Sequence, residues 1–369
     1  MSGKQDKIRG CLLGLAVGDA MGYTVDKKTL EEIKDDYGPN GLLGYDLVNG
    51  YADVTSYTQL AAFAANGLLL GMTRGRMQGR MAPPVRYIGL ALREWSCSQH
   101  NRVPERIFCW LSYVPELKRR HCMDTWMLST LSGERLGSLE EPVNCLDNPA
   151  ALTEVISVAL LSEELGLSRE EACRLGAEAV ALTHGAPEAF LSGAVLTNVF
   201  CAILSGEEVS PRDLVADTVS SIQQQFGREY GQTTHIWELL QLALTLVDSD
   251  SVSPMEAMEQ LRCRTAPEVL AGVLYACARC GGDFDTAMIL AVNHSGRSAA
   301  VGAITGALLG AVMGDEALPE FYLVCLEPTE RLLELAEDVR HGCPMDMGSN
   351  LFDDDWDRIH LPIIQSPVP

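Results

Sequence analysis

The sequence predicts an all-α protein with one domain over residues 1–341 and a surface tail over 342–369. Three observations carry this expectation. Apolar residues recur at helical spacing through most of the chain, and no alternating strand pattern of convincing length appears. Helix start signals recur as well. Ser168-x-x-Glu171 and Ser253-x-x-Glu256 spell capping boxes, and Pro187, Pro211 and Pro254 suit first helical turns. Finally, residues 291–314 read AVNHSGRSAAVGAITGALLGAVMG, which lines Gly302, Gly306, Gly310 and Gly314 along one helix face. Each glycine costs about 1 kcal/mol relative to alanine inside a helix, so close approach of another helix is the expected reason for them. Packing in a protein core is preferred here over a membrane dimer motif.

In chain order, a first helix is expected over 5–22, with Ile8, Leu12, Leu15 and Ala16 at helical spacing, closing on Gly18-Asp19-Ala20-Met21-Gly22. A short helix over 29–37 stops at the turn Gly38-Pro39-Asn40-Gly41. A loop carrying Asp46, Asn49-Gly50 and Asp53 leads to Thr55, and 56–71 is apolar and helix-compatible. Residues 73–148 are the least regular. Their arginines, Arg74, Arg76 and Arg80, suit solvated faces, and Trp95, Trp110 and Trp126 suit burial. Further helices are expected from 168 to about 182 and over 234–248, 266–280, 283–292, 299–313 and 328–340. Asp353-Asp354-Asp355 and Pro362, Pro367 and Pro369 mark the tail.

With 369 residues, 47% hydrophobic and 21% charged, the chain is long enough to bury a substantial core. Its formal charge of −22 argues against nucleic acid or an anionic membrane as partner, since both would be repelled. The twelve cysteines are scattered through apolar patterns and read as small buried hydrophobes, not disulfides. Cys277-Ala-Arg-Cys280 has no second pair at zinc-finger spacing. The apolar run 11–17 is broken by Asp19 and lacks a clear cleavage site, so it is not read as a signal peptide. No other run of about 18 uncharged apolar residues is seen, so no membrane span is expected. A cytoplasmic location follows as the expectation.

Chemistry could sit at four polar breaks between apolar helices: 19–26, 53–58, Thr183-His184-Gly185, and 293–298. Singly, each is as well explained by caps and turns. In this order and spacing they resemble the ADP-ribosylglycohydrolase family. The pieces are GCLLGLAVGDAMG, YGPNGLLGYDLVNGYADVTSYTQL, THGAPEAFLSGAV and AVNHSGRSAAVGAITGALLGAVMG, and the resemblance covers about residues 8–340. It implies a compact, orthogonal multi-helix bundle with the site in a cleft between helix ends. It also implies a two-magnesium centre and hydrolysis of the glycosidic bond joining ADP-ribose to a protein side chain or small acceptor.

The same comparison exposes departures. The resemblance places early metal ligands in a Thr-Asp-Asp-Thr run, where this chain has Thr55-Ser56-Tyr57-Thr58. It places late ligands in Gly-Asp-x-Asp-Thr, where this chain has Gly296-Arg297-Ser298-Ala299-Ala300. Gly282-Asp283-Phe284-Asp285-Thr286 spells the late motif but stands in the wrong place, because counting nine residues back from Gly306 reaches Arg297. Asp283 and Asp285 read instead as a helix cap and a first-turn acid. A Gly-rich stretch ending in Met-Arg is replaced by residues 148–154, ending in Glu154.

No magnesium or other cofactor is therefore expected, the ligand positions being held by Thr55, Ser56, Tyr57, Arg297, Ala299 and Ala300. Asp26 stands where the resemblance implies the family's catalytic glutamate, one methylene shorter, and is the candidate catalytic residue. Asp19, Thr55, Tyr57, His184, Asn293 and Arg297 are candidates for holding substrate. Arg297 is expected to replace the metal charge by reaching Asp26, Asp19 or Asp53. The expected ligand is ADP-ribose or a related nucleotide or sugar, held by a protein without the family's metal mechanism. The alternatives are a hydrolase with a rebuilt metal-independent site, or a structural or regulatory protein whose partner is not legible.

Overall fold

The computed structural model describes residues 3–207, 210–230, 235–345 and 352–361. It is all-α. Among the described residues the only extended pairings are two isolated bridges, Val48 with Tyr51 and Ala52 with Leu326. The buried apolar residues form one cluster that runs from Ile8 to Trp356.

Helix α1 (Lys4–Val25) is followed by α2 (Leu30–Tyr37), α3 (Ser56–Gln78), α4 (Pro84–Gln99) and α5 (Thr125–Leu131). The middle of the chain forms α6 (Glu154–Leu161), α7 (Arg169–Ala181), α8 (Pro187–Leu204), α9 (Pro211–Tyr230) and α10 (His235–Val247). Then come α11 (Pro254–Leu261), α12 (Ala266–Cys280), α13 (Phe284–Val292) and α14 (Ser298–Met313). Three more close the described chain: α15 (Glu320–Val324), α16 (Thr329–His341) and α17 (Asp354–His360). The start signals work as read. Ser168 accepts from the Glu171 amide and Ser253 from the Glu256 amide, with both glutamates reaching back to complete their capping boxes. Thr29 and Glu32 do the same for α2.

The glycines of α14 face a matching row on α1. Cβ atoms added at Gly14, Gly18 and Gly10 would collide with backbone at Gly306, Gly302 and Gly310 respectively, and Gly22 meets Ser298. The two helices thus run antiparallel, backbone against backbone, through the centre of the molecule. This pairing explains why α1 does not close at Gly18–Gly22 as expected but continues to Val25: its glycines are packing positions, not breaks.

Two other expectations need correction. Residues 73–148 are more ordered than their pattern implied, since α3 extends to Gln78 and α4 occupies Pro84–Gln99 behind a proline start. Trp95 is buried and its indole N–H donates to Gln59, but Trp126, in the first turn of α5, is 70% exposed. One helix, Pro187–Leu204, is apolar and long enough to cross a membrane by length and composition, although Glu188, Thr197 and Asn198 interrupt it. It is 72% buried inside the bundle, which accounts for its composition as a core helix.

The tail is not uniformly a surface strip either. Cys343 and Met345 are buried, and α17 docks with Trp356 donating to Thr73 Oγ1 at 2.9 Å. Residues 346–351 and 362–369 of the expected tail lie outside the described residues. All twelve cysteines are unpaired, and burial raises the Cys277 and Cys280 thiols to about 12 and about 11.

Candidate functional site

Three side-chain clusters gather where α1 ends and where α3, α5 and α14 begin. The first is built on Asp19, fully buried in α1. Its carboxylate faces the open N-terminus of α3 and accepts four hydrogen bonds. The Thr55 and Thr58 amides donate to Oδ2 at 2.8 and 3.0 Å, Thr58 Oγ1 to Oδ2 at 2.7 Å, and Thr55 Oγ1 to Oδ1 at 2.6 Å. One helix thereby caps another, satisfying amides that no intrahelical partner reaches. Burial pushes the Asp19 carboxyl up to about 6, against the pull of those four donors.

The second cluster joins the end of α1 to the start of α14. Asp26 is the C-cap residue of α1, and its Oδ1 accepts from the Ala299 amide at 3.2 Å. Its Oδ2 is buried without a hydrogen-bond partner, and Arg297 Nη1 lies 3.8 Å away. Burial raises the Asp26 carboxyl above the usual range, with the Ala299 amide and then the Arg297 charge opposing. Of the three acids expected for Arg297, only this one is met. Asp53 is instead paired with Arg119 at 2.9 Å and lies 3.6 Å from His121 Nδ1, while Asp19 is held by the threonines.

The third cluster surrounds His184, buried at the end of α7. Thr183 Oγ1 lies 2.9 Å from Nδ1, while Asn148 Oδ1 and Asp124 Oδ2 lie 3.1 and 3.5 Å from Nε2. Asp124 also accepts from Asn148 Nδ2 at 2.7 Å and caps α5 through the Trp126 amide at 2.8 Å. Burial raises the Asp124 carboxyl, but the hydrogen bonds from His184, Asn148 and the Trp126 amide outweigh it and hold it at about 2. Tyr57 connects the clusters. It is buried in the first turn of α3, and its hydroxyl is pushed well above 10 by burial and then by the charges of Asp26, Asp19 and Asp124.

Asn293 stands apart. Its amide oxygen accepts from the Leu42 amide at 2.7 Å, and its nitrogen donates to Leu42 O and Ile289 O at 2.9 and 2.7 Å, clamping the 41–42 turn onto α13. His294 is likewise engaged with backbone, Nε2 with Ala291 O at 2.9 Å and Nδ1 with the Gly296 amide at 3.0 Å. The sequence decoy behaves as a cap. Asp283 accepts from the Thr286 amide and hydroxyl at 3.1 and 2.8 Å, at the start of α13.

The sequence profile of the ADP-ribosylglycohydrolase family matches residues 1–347, nearly the whole chain. The chain belongs to that family. A solved structure described as an "ADP-ribosylglycohydrolase-related protein complex" superposes with a TM-score of 0.55 at 24% identity. The match covers 92% of this chain and 99% of that one. It shows the shared all-α fold. No curated protein matches the chain.

Within the family frame, sequence reasoning missed Asp124, Asn148 as its partner, and Arg119. Asp124 did carry a signal, an aspartate immediately before an apolar stretch at Thr125, which marks an N-cap. Glu154, at the position matched to the family arginine, is fully buried with neither carboxylate oxygen hydrogen-bonded, and burial raises it well above the usual range. Among the described residues no group of three or more His, Cys, Asp or Glu side chains is arranged to hold a metal ion.

Proposed function

We propose that this ADP-ribosylglycohydrolase-fold protein binds ADP-ribose, or a closely related nucleotide sugar, without the family's dimetal hydrolysis. The observation that carries the reading is the Arg297 guanidinium 3.8 Å from Asp26 Oδ2, at the start of the helix where the resemblance puts metal-binding acids. A pair of magnesium ions needs a near-octahedral cage of hard oxygens, and the residues here do not fit one. Asp19 has its oxygens turned to four protein donors. Ser56 Oγ accepts from the Met123 amide, and Ala299 and Ala300 carry no donor atoms in their side chains. A divalent ion beside Arg297 would be repelled rather than held. A guanidinium at that place suits the diphosphate or ribose oxygens of a ligand instead.

Calorimetric titration with ADP-ribose, with magnesium and with chelator, tests this directly. Saturable binding of equal strength in both conditions is the expected result, with no ADP-ribose released from ADP-ribosylated protein. Magnesium-dependent turnover would overturn the reading.

One observation favours a second reading, a metal-independent hydrolase. Asp26 has a buried Oδ2 without a hydrogen-bond partner, and burial raises its carboxyl above the usual range, a combination that suits a general base. Turnover that survives chelator and disappears in Asp26→Asn would establish that reading over simple binding. Twelve unpaired cysteines suit a reducing compartment, and we place the protein in the cytoplasm on that ground.

A further inference from the structure

A large cavity lies away from the Asp26–Arg297 site. It has a volume of about 970 Å³ and opens between α8, α9, α10, α12 and the last turns of α14. Leu308, in its wall, lies ten residues beyond Ser298 on α14, about 15 Å along the helix axis from the Arg297 end. Close-packed interiors leave few voids larger than a water molecule, and this volume is at the upper end of small-molecule sites, about 300–1,000 Å³. The wall is aliphatic, with Val199, Leu240, Leu274 and Leu308 among its members, and no aromatic ring lines it among the described residues. Such a wall offers a planar base no ring to stack on, and its hydroxyls are already engaged, Ser205 with Ala202 O and Thr218 with Asn198. It suits a flexible alkyl chain.

The rim supplies the second half of the recognition. Lys4 and Glu207 stand there already paired, Lys4 with Glu163 at 2.6 Å and Glu207 with Arg169. Lys7 differs. It forms no ion pair among the described residues, and its ammonium donates to Ile203 O at 2.8 Å, at the C-terminal end of α8. An ammonium carries three donors, so two remain for an anion at the mouth. We propose that this cavity binds a long-chain monocarboxylate, with its alkyl chain on the aliphatic wall and its carboxylate on Lys7.

The test is titration with cis-parinaric acid, whose fluorescence rises on burial, followed by displacement with palmitate and with the alcohol of the same chain length. A saturable signal is expected, displaced by palmitate at concentrations at least about tenfold lower than by the alcohol, the size of one charged hydrogen bond. Lys7→Met should weaken palmitate by a similar factor and leave the alcohol unchanged. Leu274→Trp, filling the wall, should abolish uptake of both, with the thermal midpoint reporting that the variant is folded. If that variant does not fold, the Lys7→Met comparison decides alone. No saturable parinarate signal with the unaltered protein, or equal displacement by acid and alcohol, overturns the proposal. So does a dimer that masks this face and takes up no lipid.

Discussion

Asp124, Asp19, Asp26 and Glu154 are all withdrawn from water, and the balance of burial against the donors and charges that reach each one sets its titration. Asp124, beside His184 and less completely buried, is held at about 2 by three donors, Asp19 rises to about 6 because full burial outweighs its four, and Glu154 with none is raised well above the usual range. His294 shows the same physics for a base. Burial lowers its ring from 6.5 to about 4, so the folded protein holds it neutral. A group depressed on folding adds stability above its unfolded value and loses it as the pH falls through the folded value. The His294 contribution to stability is thus expected to decline between pH 6.5 and 4 by on the order of 3 kcal/mol, opposed over part of that window by Asp19, whose raised carboxyl gains stability as the pH falls. Urea unfolding at several pH values checks it: the stability difference between the unaltered chain and His294→Asn should shrink as the pH falls from 6.5 to 4. At this scale the sequence was legible where a register could be counted. Arg297 was found by counting from Gly306, and it does meet Asp26. Asp124 was not found, because its partners Asn148 and His184 are brought to it only by the tertiary fold.

Between elements, the contact that organises the molecule is the backbone-to-backbone pairing of α1 with α14. A methyl on Gly306 would occupy the space of the Gly14 carbonyl, and backbone cannot rotate away as a side chain can. Gly306→Ala should therefore cost about 3 kcal/mol or more by forcing the helices apart, with the loss of cooperative folding as the extreme case. Thermal unfolding followed by circular dichroism measures it. Gly227→Ala is the control, since a Cβ there meets nothing within 4 Å, and it should be neutral or slightly stabilising. The glycine face of α14 was plain from its spacing. The partner face on α1 was legible only in part, because Gly18 and Gly22 flank a polar residue and resemble a helix end until their counterparts are known.

For the whole molecule, an excess of 22 negative charges spread over one compact body sets a self-repulsion that salt relieves. The Debye length shrinks from about 30 Å at 0.01 M salt to about 8 Å at 0.15 M, so the melting temperature should rise across that range. A melting temperature that falls instead would show that ion pairs such as Asp53–Arg119 outweigh the net charge. The all-α class was legible because helical periodicity is local, whereas the cavity between α8 and α12 was invisible because packing that is left undone has no pattern in a sequence. The α1–α14 pairing has one further consequence, in time. Gly14 and Gly306 are separated by about 290 residues, so during synthesis the first helix waits about 15 to 60 s for the strip of backbone it is shaped to meet. Until α14 leaves the ribosome, the molecule's central seam has only one side.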